Sequence, residues 1–322
     1  VIDFRYHLVS IVAIFLALAV GIVMGTTLLS NPAIESALQT ADVLRKSNND
    51  YRDQLAALQA REAGNDDFVT AEIPALVRGQ LTGESVLLVA APGSSGTLRE
   101  QTVQVLTEAG ATISGQITIM EKFIDPAQAS FIGQLTVPLK PGGLTLPGTD
   151  PYKNAAALLA ATLVTADDAQ AGTENTATAG VLDAFDGAGL LTIDGTPAKR
   201  ATLALILAPD TPYTGDKAQV QAGALVSLAG GLDAGSQGTS LTGVITATQP
   251  GGVIAALRDT GDVAAKVSSV DTLDMPAGRV VVVYSLREQL EGRAGQYGIG
   301  ADASEFLPAS SAATPSPTTS GS

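Results

Sequence analysis

A chain of 322 residues with a net charge of −14 at pH 7 and a pI near 4.4 repels nucleic acid and the anionic cytoplasmic leaflet of a membrane, so neither is expected as a partner. The 45% hydrophobic content is that of a folded chain, and the length allows about two domains. Cysteine is absent, which removes disulfides, thiolate metal sites and cysteine nucleophiles together.

The first element is the uncharged run Leu8 to Leu29, "LVSIVAIFLALAVGIVMGTTLL". At 1.5 Å per residue it spans about 33 Å, enough to cross a hydrocarbon core. A cleaved export signal has a shorter apolar run and a small-x-small cleavage site, neither of which is present, so an uncleaved anchor is expected. Arg5 and His7 precede the run, and the next basic residue after it is Arg45. The positive-inside rule then gives a cytoplasmic stub over residues 1–7, a single span over 8–29, and an extracytoplasmic remainder in the cell envelope. Ala17, Gly21 and Gly25 recur every four residues, a small-residue face that lets two helices approach closely in lipid. Glycine is also simply common in such helices.

Residues 34–62 follow a seven-residue repeat. Ile34, Ala41, Asn48 and Leu55 fall at the a positions, and Leu44, Tyr51 and Leu58 at d. This predicts a coiled-coil stalk of about four heptads and about 42 Å, with Asn48 favouring a parallel homodimer. The competing reading is one amphipathic helix packed on its own domain. Residues 63–83 then read as a linker with a short helix.

From Glu84 the pattern changes. "ESVLLVAA", the turn "PGSSG", the helix "TLREQTVQVLTEAG" and the strand "ATISGQITI" make a strand–helix–strand unit with parallel strands. The segment 152–187 reads as helical, followed by the strand "GLLTID". Thereafter "TLALILAP", "LTGVITAT" and "RVVVVYSL" read as strands, with helices at "DKAQVQAGALVSLAGGL" and "GVIAALRD" between them. Continuous apolar strands imply burial on both faces. The expected class is therefore α/β, with residues 84–300 forming a mostly parallel sheet flanked by helices. The tail 301–322, rich in Pro, Ser, Thr and Ala, is expected to be disordered.

Chemistry-bearing motifs are sparse. "PGSSG" at Pro92–Gly96 leads into a helix, but it lacks the lysine of a P-loop and the G-x-G-x-x-G spacing, and reads as a plain turn. The only histidine, His7, sits beside the membrane run and cannot complete a catalytic triad in the exported domain. Acidic pairs at Asn65–Asp67 and at Asp167 and Asp168 are expected in solvated loops, and "DAFDG" lacks the alternating ligands of a calcium loop. No catalytic, cofactor-binding or metal residues are assigned, and no enzyme activity is expected.

The stretch "FRYHLVSIVAIFLALAVGIVMGTTLLS", followed by a heptad region and an acidic α/β domain, resembles the actinobacterial family named for mycobacterial copper transport protein B, MctB. That resemblance implies an envelope protein of copper efflux and resistance, with copper as the transported ion, placed in the outer membrane. It also implies a link to cell separation at the septum. The donor set is a poor match to copper chemistry: Cu(I) prefers thiolate and thioether, Cu(II) imidazole, and only Met24, Met120, Met275 and His7 are present. Nor does the chain show the repeated ten-residue alternating segments of a membrane barrel. An alternative from the residues alone is a non-enzymatic dimeric scaffold, anchored in membrane lipid, that grips another envelope protein during cell separation or wall remodelling.

Overall fold

The computed structural model describes residues 4–28 and 30–309, apart from the side chains of 27–34. They divide into two compact units, residues 1–65 and 66–322.

The first unit is helical. Helix α1 (Phe4–Leu28) covers the uncharged run, whose last residue, Leu29, lies outside the described residues. Helix α2 (Ser30–Val77) contains the heptad region. Residues 63–83, expected as a linker with a short helix, are instead helical as far as Val77 and turn only over 78–83. Asn65–Asp67 therefore lie on a helix, not in a loop. Gly64 and Pro74 argue locally against helix. Burial of Ile73, Val77 and the following Leu81 in the second unit's core outweighs them.

The second unit is a seven-stranded sheet in the order β3-β2-β1-β4-β5-β6-β7. Strand β1 (Ser85–Ala90) pairs in parallel with β2 (Thr112–Ile119) and with β4 (Leu203–Leu207). Helix α3 (Gly96–Glu108) connects β1 to β2 and ends where Gly110 takes a positive φ of 92°. The expected strand–helix–strand unit is therefore present. Two helices missing from the sequence reading follow, α4 (Glu121–Ile124) and α5 (Ala129–Leu139). Helices α6 (Pro151–Leu163) and α7 (Val181–Gly187) take the two ends of the segment expected to be helical, with α7 holding the "DAFDG" stretch, whereas residues 164–180 between them form turns and short 3-10 helices. Strand β3 (Leu191–Gly195) is the one antiparallel member among the described strands, paired with β2 at the sheet edge.

The second half departs from the reading. After α8 (Ala218–Gly235), strand β5 is Gly238–Thr242, "GTSLT", and only its last two residues belong to the expected "LTGVITAT". Helices α9 (Val253–Asp259) and α10 (Gly261–Ala264) lead to β6 (Ser268–Val270). "RVVVVYSL" is not a strand but the middle of helix α11 (Pro276–Leu290), and β7 (Gln296–Tyr297) closes the sheet. The reason is a hydroxyl-rich seam. Ser240 and Ser285 share a buried hydrogen bond of 3.0 Å, and Gln289 Nε2 donates to Ser268 Oγ at 2.8 Å. Polar strands β5 and β6 are thus satisfied by polar residues spaced along α11, a pairing that a valine run hides.

Each central strand is buried on both faces. Leu87, Val89, Ala204 and Ile206 face α6, α8 and α9, while Val86, Leu88, Leu203 and Leu205 face α3, α11 and the end of α2. Residues 301–309, expected as the start of a disordered tail, are in part tied down. Ser304 N–H donates to the Gln296 carbonyl at 2.7 Å and Gly298 N–H to the Glu305 carbonyl at 2.9 Å. The remainder of the expected tail, 310–322, lies outside the described residues.

Candidate functional site

Helix α1 holds an 18-residue stretch with a mean hydropathy of 2.8, so that residues 4–26 are long and apolar enough to cross a membrane, and its described side chains are exposed. Its small-residue face is open: a Cβ added at Gly21 or Gly25 meets no atom within 4 Å, and Ala17 is exposed. Met24 and His7 lie on the same helix.

On α2 the heptad positions form an uncovered apolar stripe. Leu44 and Tyr51 are each 65% exposed, Leu55 58% and Leu58 60%. Asn48 is exposed among them and Ala41 is half-buried. The remaining seam residue, Ile34, has its side chain outside the described residues. At 100° per residue these positions fall within a sector of about 120° on one side of the helix.

In the second unit the natural place for a ligand is the crevice at the carboxyl ends of β1 and β4, where the strand order reverses. A cavity of about 590 Å³ lies there, between the turns after the two strands and α4. The "PGSSG" turn is already satisfied by the protein. Ser95 caps α3 by accepting from Leu98 N–H at 3.3 Å, and Asp210 Oδ1 accepts from Ser95 N–H at 3.1 Å. A carboxylate thus stands where a bound anion would sit, so this helix terminus is no phosphate cradle, and the plain-turn reading of "PGSSG" fits. The cations of the crevice are likewise engaged. Lys217 Nζ meets Asp125 Oδ1 at 2.9 Å, and Lys122 Nζ donates to the Ala188 carbonyl at 2.7 Å and lies over the Phe131 ring. The hydrogen bond from Lys217, with a second from Ala127 N–H, holds the Asp125 carboxyl below its ordinary range. Tyr213 carries a phenol pushed well above its usual range by burial and by the Glu121 charge.

Among the described residues the most enclosed ion pair lies elsewhere, beyond the end of β6. Asp271, fully buried, meets Arg258 Nη2 at 3.0 Å and accepts from the N–H groups of Ile299 and Gly300 at 2.9 and 3.1 Å. Arg258 in turn donates to the carbonyls of Tyr297 and Ala301. This group is structural: Arg258 Nε donates to Ser269 Oγ of β6 at 3.0 Å, and the remaining bonds tie the pair to the segment 297–301. Asp210 and Asp271 were missed from sequence, although Asp271 directly follows β6 and Asp210 lies three residues past the end of β4, both at the carboxyl end of the sheet.

Among the described residues no group of three or more His, Cys, Asp and Glu is placed to hold a metal ion. Met120 follows β2 and Met275 precedes α11 after β6; four strand spacings, about 19 Å, separate those strands. Asp167 and Asp168 sit in a turn where Asp167 accepts from Ala169 N–H at 3.0 Å and Asp168 from Gln237 Nε2.

Comparison with known proteins bears on the whole chain. A sequence model for the family described as "Copper transport outer membrane protein, MctB" matches residues 1–308. Proteins named "Copper transporter MctB" from Mycobacterium tuberculosis and Mycobacterium bovis are each 25% identical over 304 residues, covering 93% of this chain and 96% of theirs. That of Mycobacterium leprae is 26% identical over 330 residues with the same coverage. These names describe transporters and not enzymes. With the apolar helix, the heptad helix and the α/β unit all inside the matched span, the chain belongs to the MctB family.

Proposed function

We propose that this chain is a membrane-anchored envelope protein of copper handling that supports copper efflux without a tight copper site of its own. The observation that carries the reading is the family match from residue 1 to residue 308, which takes in the apolar helix as well as the α/β unit. In this reading α1 is an uncleaved anchor, with Arg5 and His7 at its cytoplasmic end. The α/β unit lies on the other side, in the envelope layer that the family description implies.

The donor set defines what the protein contributes. Without thiolate, and with one imidazole beside the anchor, the chain attracts copper only weakly, through its excess of carboxylates. Efflux then depends on an assembly to which this chain contributes an anchor and a recognition domain. The test is copper content per cell in a deletion strain at sublethal copper, with and without the restored gene. Accumulation that the gene reverses is the expected result. Unchanged copper overturns the efflux reading.

A second reading, a dimeric scaffold in cell separation, is favoured by one observation: the uncovered stripe of Leu44, Tyr51, Leu55 and Leu58. A parallel pairing of two copies covers that stripe and brings two Asn48 amides together. Under this reading the deletion strain keeps normal copper and fails to separate.

A further inference from the structure

Helix α2 (Ser30–Val77) belongs to both units, which divide between Asn65 and Asp66. Over 34–58 it carries the heptad stripe. From Val69 onward it packs on the core of the second unit, with Val69 half-buried and Ile73 and Val77 buried. Continued past Leu58, the heptad register reaches Glu62 at an a position, Asn65 at d and Val69 at the next a. The first two are polar and the third is covered by its own unit, so neither the stripe nor the core claims the turn between them.

That turn has little to hold it helical. Gly64, Asn65, Asp66 and Asp67 are four consecutive poor helix formers. Glu62 and Asp66, four residues apart, set like charges one above the other, which opposes the helix. Residues 59–65 are all exposed, and among the described residues the only ion pair on α2 is Arg45 with Asp42, well before this turn. Asp66, half-buried and near enough to Arg279 of α11 to act on its charge, marks where the hold of the second unit begins. Gly64 has no packing reason to be glycine. Its backbone is helical, and an added Cβ meets nothing within 4 Å, so alanine would fit and would favour the helix. Pro74, the other helix breaker, differs: it lies between Ile73 and Val77, whose burial holds the helix around it but does not reach Gly64.

We propose that α2 is jointed at Gly64–Asp67: the helix opens at this turn, and the α/β unit turns on the preceding stalk as a separate body. Opening costs only the backbone bonds of one exposed turn, which water replaces, and disturbs neither the stripe nor the core. The domain can then meet a partner over a range of directions while α2 stays intact on either side.

The test is double electron–electron resonance on the full chain in lipid nanodiscs, with nitroxides on introduced cysteines and an excess of unlabelled chain, so that distances within one copy are read. The absence of native cysteine permits this labelling. Ser36→Cys with Asp53→Cys reports on the helix before the joint, and Asp53→Cys with Thr70→Cys reports across it; all three sites are exposed. The pairs are equally spaced along the chain, about 26 Å apart in a continuous helix. The 53–70 distribution is expected to be about twofold wider than the 36–53 distribution, with a tail to shorter distances. Gly64→Ala combined with Glu62→Lys, which removes the glycine and the like-charge pair, is expected to narrow it to the width of the 36–53 pair. Equal widths overturn the proposal: if both are narrow α2 is one rod, and if both are broad it frays throughout. A broad 53–70 distribution that the double variant leaves unaltered overturns the placing of the joint at this turn.

Discussion

Asp271 shows how a single residue closes a fold. It is fully buried, yet all its charge is answered, by Arg258 on one side and by two backbone N–H groups on the other. Such a pair adds little net stability over an apolar replacement, but removal of one partner strands the other charge out of water. Asp271→Leu is therefore expected to lower unfolding free energy by about 3–5 kcal/mol in urea titrations, and pairing it with Arg258→Met to recover part of that loss. An equal loss in the single and double variants would show that the backbone donors, not Arg258, carry the effect. Gly298 and Gly300 belong to the same arrangement, since a Cβ at either would run into the Asp271 carboxylate.

At the scale of elements, the close pairing of α6 with α8 rests on small residues. Gly231→Ala improves helix propensity but drives a methyl into Ala156, and is expected to destabilise by about 1–3 kcal/mol, read as a lowered melting temperature. A raised melting temperature would mean that α6 yields easily. Elements of this chain were legible wherever one physical cause dominated. β1, α3, β2 and β4 announce themselves by apolar runs and glycine stops, and α1 by its length without charge. β5 and β6 did not, because "GTSLT" and "SSV" have few apolar side chains and depend on Ser285 and Gln289, distant in sequence, for their burial. The same long-range partnership turned four valines of α11 from an expected strand into a helix. The crevice was legible only as a place, the turn after β1; that Asp210 accepts from the Ser95 N–H there is a contact across 115 residues that no local pattern encodes.

For the whole molecule, the question is whether it acts alone. The apolar stripe of α2 and the open glycine face of α1 are each modest signals, and one parallel pairing of two copies would satisfy both. The natural absence of cysteine makes this directly testable. Asn48→Cys is expected to form an intermolecular disulfide in membranes under mild oxidation, because an a position faces its own copy. Val43→Cys, on another face, is expected to remain monomeric on non-reducing gels. Equal cross-linking at both positions would point to random collision and against a heptad seam.

The lock around Asp271 also has a consequence in time. Its backbone donors are residues 299 and 300, and the last sheet strand is Gln296–Tyr297, so the sheet is completed by some of the final described residues. A chain emerging amino-terminus first, from a ribosome or through a membrane channel, presents β1 to β6 well before the loop that seals them. Until that loop arrives the domain is held unfinished at one edge.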